Sequence, residues 1–329
     1  MADWNEKLLD EELEAIMNDV PEQEDLEKKI NQIINRRIRK VVMKTLSVVT
    51  AIVLVLYLGI SPLMNAMFWN PYKMHEDGEL LTVFGNFVDM TQPWSELISV
   101  DVEKKGFARY EMEMQISDHT EPLYVGIPNV TMDVNRGKYA EIKDPDNRLT
   151  IFMNRFDMMY SVYNETQIEH IESLPESAWV YLNLSSRNEQ TIEQLQDVGM
   201  VVQWLQVYQP TVEFQGGIRI TPSVGDKLLG KNFWTISSEE LLELYLDNLE
   251  NLLEHPEVWE QFSLSDGRSW VFAQSEEVLR ETYENAKELE TVTTKNYCIA
   301  GQRDEVLEYL KTTEFTNIRI EKVKLSLYE

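Results

Sequence analysis

Hydrophobic and polar positions alternate in blocks along this chain, and the longest apolar block lies near the N-terminus. From Thr45 to Tyr72 the sequence contains no Asp, Glu, Lys or Arg. A helix that crosses a bilayer core of about 30 Å needs roughly 20 such residues. The pattern predicts a transmembrane helix over residues 45–68. Two other interpretations of the same block are a cleaved signal peptide and the core helix of a soluble protein.

The residues on either side of the apolar block predict its orientation. The residues just before it include five cations: Arg36, Arg37, Arg39, Lys40 and Lys44. Trp69, Tyr72 and a single near cation, Lys73, follow it. Basic residues stay on the cytoplasmic side and aromatic residues favour the interface. We therefore expect a single-pass protein of the cell membrane, with residues 1–44 cytoplasmic and the C-terminal part exported. A signal peptide fits less well, because the leader is long and acidic and Asn65-Ala66-Met67 is a poor cleavage site.

The cytoplasmic arm, residues 1–44, is predicted to be helical. Leu9, Leu13, Ile16 and Met17 fall at helical spacing with acidic residues between them. A second apolar stripe, from Leu26 to Val41, is expected to continue without a break into the span. An arm of this size is too short for a comfortable core. Its helices are expected to lie on the membrane, to pair in a dimer, or to dock through the first stripe in the groove of a basic partner, such as a DNA-binding protein.

Residues 69–150 are expected to form a strand-rich, membrane-proximal exported region. Three apolar or alternating runs predict strands, at Leu80–Phe84, Leu97–Val102 and Ala108–Ile116. Residues 126–150 are rich in Gly, Pro, Asn and Asp, and this composition predicts turns and loops.

Residues 151–329 show an α/β pattern and are predicted to form the exported sensor domain. Two strand-helix-strand units are predicted, and we expect one sheet to contain both. The first comprises strand 179–184, helix 189–196 and strand 200–208, and the second comprises strand 297–301, helix 304–311 and strand 318–327. Two helices are predicted between them, over residues 239–254 and 275–289. The expected fold class is α+β, with a short helical arm, one span and a large exported sheet region.

The charge of the chain limits its partners. The formal net charge is −27, and residues 73–329 carry 46 acidic and 22 basic side chains. A region this acidic repels phosphate backbones, so we expect no nucleic acid as a partner. Cys298 is the only cysteine, which excludes an internal disulfide. Few cysteines in the exported part are more typical of proteins from bacteria with a single membrane than of secreted proteins from animals or plants.

Motif searches predict no catalytic, metal or cofactor site, and we expect no enzyme activity. The segment Gly225–Lys231 matches the start of a phosphate-binding loop, but Asn232 stands where the loop needs Ser or Thr. A turn between a strand and a helix explains it better. The histidines, at positions 75, 119, 170 and 255, lack zinc-site spacing. Trp179, Trp204 and Trp234 are expected in the core, with a pocket lining as the alternative.

Three short motifs and the overall layout resemble a known family. The motifs are Asn70-Pro71-Tyr72, Thr91-Gln92-Pro93 and the Val202–Tyr208 run. Together with an acidic arm, a basic stop and one span, they are similar to the sigma factor regulator family, the membrane-bound anti-sigma factors of Gram-positive bacteria. The resemblance implies that the arm sequesters an extracytoplasmic-function sigma factor while the exported domain responds to envelope conditions, with a second membrane protein as a further partner.

The arm differs from one type of anti-sigma factor, because it contains neither the His nor the Cys of the zinc-binding motif. Two alternatives stay open. One is a membrane-anchored binding or structural protein of the cell envelope with no transcriptional role. The other is an envelope hydrolase with an unrecognised site.

Overall fold

A computed structural model describes residues 23–118, 129–143, 164–212, 216–220, 233–259 and 276–325. The chain divides into two compact units, the first ending at Met64 and the second beginning at Asn65. We call the second the C-terminal unit. The predicted docking residues Leu9, Leu13, Ile16 and Met17 lie outside the described residues, as does the 225–231 loop.

A long helix occupies the N-terminal part of the described chain. Helix α1, Gln23–Val55, continues through a π turn, Leu56–Ile60, into helix α2, Ser61–Met67. The prediction that the second apolar stripe runs unbroken into the apolar block is therefore confirmed. The stretch Ile30–Met67 reaches a mean hydropathy of 2.3, and none of its most apolar window is buried. Its length and composition are consistent with a single membrane span or a signal sequence.

The C-terminal unit begins with two helices and a four-stranded sheet. The helices are α3, Pro71–Glu76, and α4, Glu79–Thr91. The strands are β1, Ser95–Gly106; β2, Arg109–Asp118; β3, Asn129–Asn135; and β4, Lys138–Lys143. They form an antiparallel meander in the order β1-β2-β3-β4. Alternate residues of β2 and β3, such as Met112, Met114 and Met132, are fully buried in the same core cluster as the apolar side chains of α4.

Two predictions for this region were wrong. Residues 80–84, expected as a strand, lie in α4. The buried side chains Leu80, Val83, Phe84, Phe87 and Val88 recur at helical spacing once the whole segment is considered. The expected loops of residues 126–150 include β3 and β4. Their hairpin forms because Arg136 and Gly137 adopt positive φ angles in the turn.

The unit also contains a five-stranded sheet and the helices that connect its strands. Its strands are β5, Trp179–Thr191; β6, Val201–Gln206; β7, Gly217–Arg219; β8, Thr293–Gln302; and β9, Phe315–Lys324. The helices are α5, Asn164–Ser173; α6, Ile192–Gln196; α7, Ser238–Glu254; α8, Pro256–Trp259; α9, Glu276–Lys287; and α10, Arg303–Thr312. The prediction of helices near residues 239–254, 275–289 and 304–311 is confirmed.

The strand order β7-β6-β8-β5-β9 shows how the two predicted strand-helix-strand units combine. β8 lies between β5 and β6, and β5 lies between β8 and β9, with every pair of neighbours antiparallel. The expectation that one sheet contains both units is confirmed. The α/β pattern is corrected to α+β, because each unit's two parallel strands are separated by a strand of the other. These four strands have the order and directions of a ferredoxin-like arrangement, with β7 added beside β6.

Helix α5 lies along the edge strand β9 of this sheet, and helix α7 packs in the core of the unit. Asn164 and Gln167 of α5 accept hydrogen bonds from the backbone N–H groups of Ile318 and Ile320 on the edge strand β9, at 2.8 and 3.2 Å. Helix α7 begins with a capping box formed by Ser237 and Glu240. It buries Leu241, Leu244, Tyr245, Leu249 and Leu252, whereas Leu242, Leu246 and Leu253 are only partly buried.

Candidate functional site

The last turn of helix α2 and the segment that follows it contact two turns of the first sheet. The Asn65 side chain accepts a hydrogen bond from the backbone N–H of Ala108, in the β1–β2 turn, at 2.8 Å. Gly137, in the β3–β4 turn, has a φ of +74°, and a Cβ there would lie 3.2 Å from the Trp69 backbone nitrogen. A side chain at this position would therefore meet both backbone strain and close contact. We call the contacts of Asn65 and Trp69 with these turns the junction.

Aromatic side chains add further contacts to the junction within the C-terminal unit. Trp69 lies edge-on to Tyr139, with 5.7 Å between ring centroids, and its Nε1 donates to Met74 Sδ at 3.1 Å. The Tyr139 hydroxyl donates to the Val258 carbonyl, on α8, at 2.8 Å. The segment after the long helix is therefore held by the first sheet, and Tyr139 connects this contact to a helix far along the chain.

A cation and a carboxylate flank Tyr72 at the same place. Lys104 Nζ lies 3.4 Å from the centroid of the Tyr72 ring, within the range of a cation–π interaction. A hydrogen bond to Glu76 raises the pKa of the Tyr72 phenol, because the negative carboxylate favours the protonated form. Asn70 caps α3 by accepting from the Lys73 N–H at 3.3 Å, with Pro71 at the first helical position.

A second polar cluster crosses the five-stranded sheet. Residues paired in register run across all five strands: Arg219, Trp204, Cys298, Asn183 and Arg319. Since directly paired residues point to the same face of a sheet, these side chains form one line, which we call the polar row. Arg219, Trp204, Cys298 and Asn183 are buried.

The segment from Asp89 to Ser95, which joins α4 to β1, covers one end of the polar row. Arg219 Nε donates to Asp89 Oδ1 at 2.7 Å, and Arg219 Nη2 contacts both that oxygen and the Ser95 carbonyl. Trp204 Nε1 donates to the Asp89 carbonyl at 2.8 Å. The Arg219 side chain is 1% exposed and that of Asp89 is 12% exposed. The pair is therefore a buried ion pair, whose charges depend on each other.

Asn183 organises the centre of the polar row. Its Oδ1 accepts from Trp94 Nε1 at 2.7 Å and from Cys298 Sγ at 3.0 Å, and its Nδ2 donates to Glu321 Oε2 at 2.8 Å. Trp94 also stacks edge-on against Tyr181 at 5.6 Å. Trp94 belongs to the covering segment, whereas Cys298 and Glu321 belong to neighbouring strands of the sheet. The polar row thus acts as a docking surface for the segment between α4 and β1.

Most of the other residues singled out from sequence lie apart from these two clusters. The five cations Arg36, Arg37, Arg39, Lys40 and Lys44 are exposed on α1. His75, His170 and His255 lie on or beside three different helices, and His119 is outside the described residues. Among the described residues, no group of three or more His, Cys, Asp or Glu side chains could hold a metal ion. Trp204 is buried as expected, whereas Trp234 is 49% exposed.

Sequence reasoning missed the residues that join the two sheets. Asp89, Trp94, Asn183 and Arg219 carried no motif. A local signal existed for two of them, since Asn183 interrupts an apolar strand and Arg219 lies between two isoleucines. Buried polar groups of this kind need partners, but their partners lie too far along the chain for a sequence pattern to find.

No family model, curated protein or solved structure matches this chain.

Proposed function

We propose that the chain is a membrane-anchored anti-sigma factor. In this proposal the cytoplasmic arm sequesters an extracytoplasmic-function sigma factor, and the exported C-terminal unit responds to envelope conditions. The observation that carries the proposal is the unbroken helix from Gln23 to Met67, which leads from a basic flank through an apolar stretch to the junction. The similarity to the sigma factor regulator family supplies the partner.

The charge distribution supports the proposed orientation. The five exposed cations on α1 precede the charge-free residues 45–68, and Trp69 and Tyr72 lie beyond them. Cations favour the cytoplasmic side and aromatic rings favour the interface. The N-terminus is therefore cytoplasmic in the proposal, and the C-terminal unit is extracytoplasmic.

Packed contacts support a role in transmission. Asn65 and Trp69 hold the two turns of the first sheet, and the Asp89–Ser95 segment docks on the polar row of the second sheet. In the proposal, a rearrangement of either sheet reaches the last turn of the helix through this contiguous set of contacts. Release of the arm, by conformational change or by proteolysis, would then free the sigma factor.

The composition of the arm supports the partner. Leu9, Leu13, Ile16 and Met17 would form an apolar helix face of the kind that docks in a groove. Acidic residues lie between them, and acidic surfaces attract basic proteins such as those that bind DNA. Inhibition would be steric and stoichiometric.

Co-purification with the full-length tagged chain tests this function. The key variant replaces Leu9, Leu13, Ile16 and Met17 by Ser, and the matched control replaces four polar arm residues by Ser, namely Asn5, Glu11, Asn18 and Gln23. We expect a sigma factor to co-purify with the wild type and the control. Recovery should fall at least about tenfold with the apolar variant, because several buried anchors are lost at once. A sigma-dependent reporter should rise in parallel.

The opposite result has a defined meaning. Recovery of no sigma factor with the wild-type chain, in cells that express it, would overturn the proposal. That outcome would favour a membrane-anchored binding or structural protein of the envelope, for which the four Ser substitutions should leave the phenotype unchanged.

A further inference from the structure

The turns that meet the end of the long helix carry an unusual concentration of positive charge. Residues 73–329 hold 46 acids against 22 bases, yet five of those bases lie in or beside two short turns. We call them the basic turn patch: Lys104, Lys105, Arg109, Arg136 and Lys138. All five are exposed.

Strand register places the patch along one end of the first sheet. Arg109 pairs with Asn135 across β2 and β3, and Asn135 pairs with Lys138 across β3 and β4. Neighbouring strands lie about 4.8 Å apart, so these positions form one row. Gly106 pairs with Arg109 and places Lys104 and Lys105, near the end of β1, at the same end of the sheet.

Most of this charge is available to an outside partner. Lys105 is neutralised by Glu103 and Glu111, at 2.7 and 3.2 Å. Lys104 lies on the Tyr72 ring, and Arg109 Nε makes only a long bond to the Gly106 carbonyl, at 3.5 Å. Within the described ranges, Lys104, Arg109, Arg136 and Lys138 form no ion pair.

The junction places the basic turn patch next to the C-terminal end of the long helix. Ala108 lies in the first turn and is held by Asn65, in the last turn of the helix whose apolar stretch ends at Met67. Gly137 lies in the second turn and packs on Trp69. If the helix spans the bilayer, both turns therefore lie at the bilayer surface, beside Phe68, which is 36% exposed. Aromatic side chains favour this interface.

We propose that the basic turn patch binds the anionic headgroups of the membrane in which the helix is anchored. Cations near a charged bilayer are attracted within a Debye length of about 8 Å at physiological ionic strength. This contact would hold the first sheet against the membrane and oppose the repulsion between an acidic C-terminal unit and an acidic surface. The inference rests on the membrane anchoring of the proposed function, but it does not depend on a sigma factor.

Fluorescence of the full chain in nanodiscs tests the inference. A fluorophore is attached at Asn135→Cys, which is exposed in the patch, while fully buried Cys298 stays unlabelled. Discs contain either phosphatidylcholine alone or phosphatidylcholine with phosphatidylglycerol, each with a headgroup-labelled quencher. We expect quenching several-fold stronger in the anionic discs, and high salt should reduce the difference.

Two four-charge variants separate the patch from net charge. The patch variant carries Lys104→Gln, Arg109→Gln, Arg136→Gln and Lys138→Gln, and it should lose the response to anionic lipid. The control carries Arg187→Gln, Arg280→Gln, Lys287→Gln and Lys311→Gln, which are exposed positions elsewhere, and it should keep the response. Equal quenching in the two kinds of disc, or a response that survives in the patch variant, would overturn the inference.

Two further measurements keep this result distinct from the proposed function. If the label responds to a soluble polyanion in neutral discs but not to anionic lipid, the patch is not a headgroup site. If the chain fails to remain with the discs on flotation, the anchoring itself is wrong. Failure of a sigma factor to co-purify leaves the nanodisc result unchanged.

Discussion

Arg219 is a cation inside the C-terminal unit, and its charge is balanced mainly by one carboxylate. Its guanidinium meets Asp89 and the Ser95 carbonyl, all within the segment that covers the polar row. Removing one partner of a buried pair leaves an uncompensated charge, which costs far more than the pair contributes. This residue pair therefore links β7 of the second sheet to the last turn of α4 in a way that depends on both charges.

The variant Arg219→Met should destabilise the protein by about 3–5 kcal/mol, because it breaks a buried ion pair by removing the cation that faces the Asp89 carboxylate. Chemical unfolding of the full chain in detergent micelles measures the effect. The double variant Arg219→Met with Asp89→Leu should recover part of the loss, since it removes the second buried charge as well.

The matched control is Arg187→Met. Arg187 also contacts a carboxylate, Glu314, at 2.9 Å, but both side chains are more than two-thirds exposed, at 68% and 69%. An exposed pair contributes about 0–1 kcal/mol. Equal losses for the two arginine variants would show that the Asp89 contact is not a buried ion pair.

At the scale of elements, helix α5 protects the edge of the second sheet. An uncovered edge strand offers free N–H and C=O groups to other chains. Asn164 and Gln167 occupy N–H groups of β9, and Asn164 Nδ2 also donates to the Phe315 carbonyl at 3.1 Å. Side chains thus replace the missing neighbouring strand.

Replacing Asn164 and Gln167 by Ala should lower stability by about 1–3 kcal/mol, because backbone donors lose their partners. It should also increase self-association, detectable by sedimentation of the detergent-solubilised chain. Thr166→Ala with Glu169→Ala on the exposed side of the same helix is the control. Loss of stability in both variants alike would contradict edge protection by Asn164 and Gln167.

At the scale of the whole molecule, buried tyrosines make stability depend on alkaline pH. Burial is the main cause that raises the pKa of Tyr245, Tyr297 and Tyr309 above the ordinary value. Tyr297 and Tyr309 also share a hydrogen bond of 2.5 Å between their hydroxyl oxygens. The folded state thus holds phenol protons that the unfolded chain releases more easily.

These tyrosines should have no effect on the pH dependence of stability below about pH 9, where both states keep the protons. As the pH rises through about 10, the unfolded chain loses them first, and the free energy of unfolding should fall by about 1.4 kcal/mol per pH unit for each tyrosine. Thermal unfolding across this range measures the slope. Tyr297→Phe should reduce the slope, and an unchanged slope would contradict the assignment.

Local patterns were sufficient for several elements. The long helix, strand 179–184 and helix 304–311 each follow from periodicity, because their apolar spacing reflects a buried face that the sequence itself carries. Residues 80–84 were misassigned because a short, mainly apolar run suits a strand or a helix equally well. The β3–β4 hairpin was missed because its composition resembles a loop, and only pairing with β2 turns it into sheet.

The sequence by itself determined the division of the chain by one uninterrupted apolar helix, the charged flank of that helix and the acidity of residues 73–329. Tertiary structure alone decided how the two sheets combine and which polar groups meet. Asp89 and Arg219 are 130 residues apart, and Trp94 and Asn183 are 89 apart. Contacts between residues so far apart produce no periodic pattern in the sequence, because each buried polar group acquires its partner only in the folded chain.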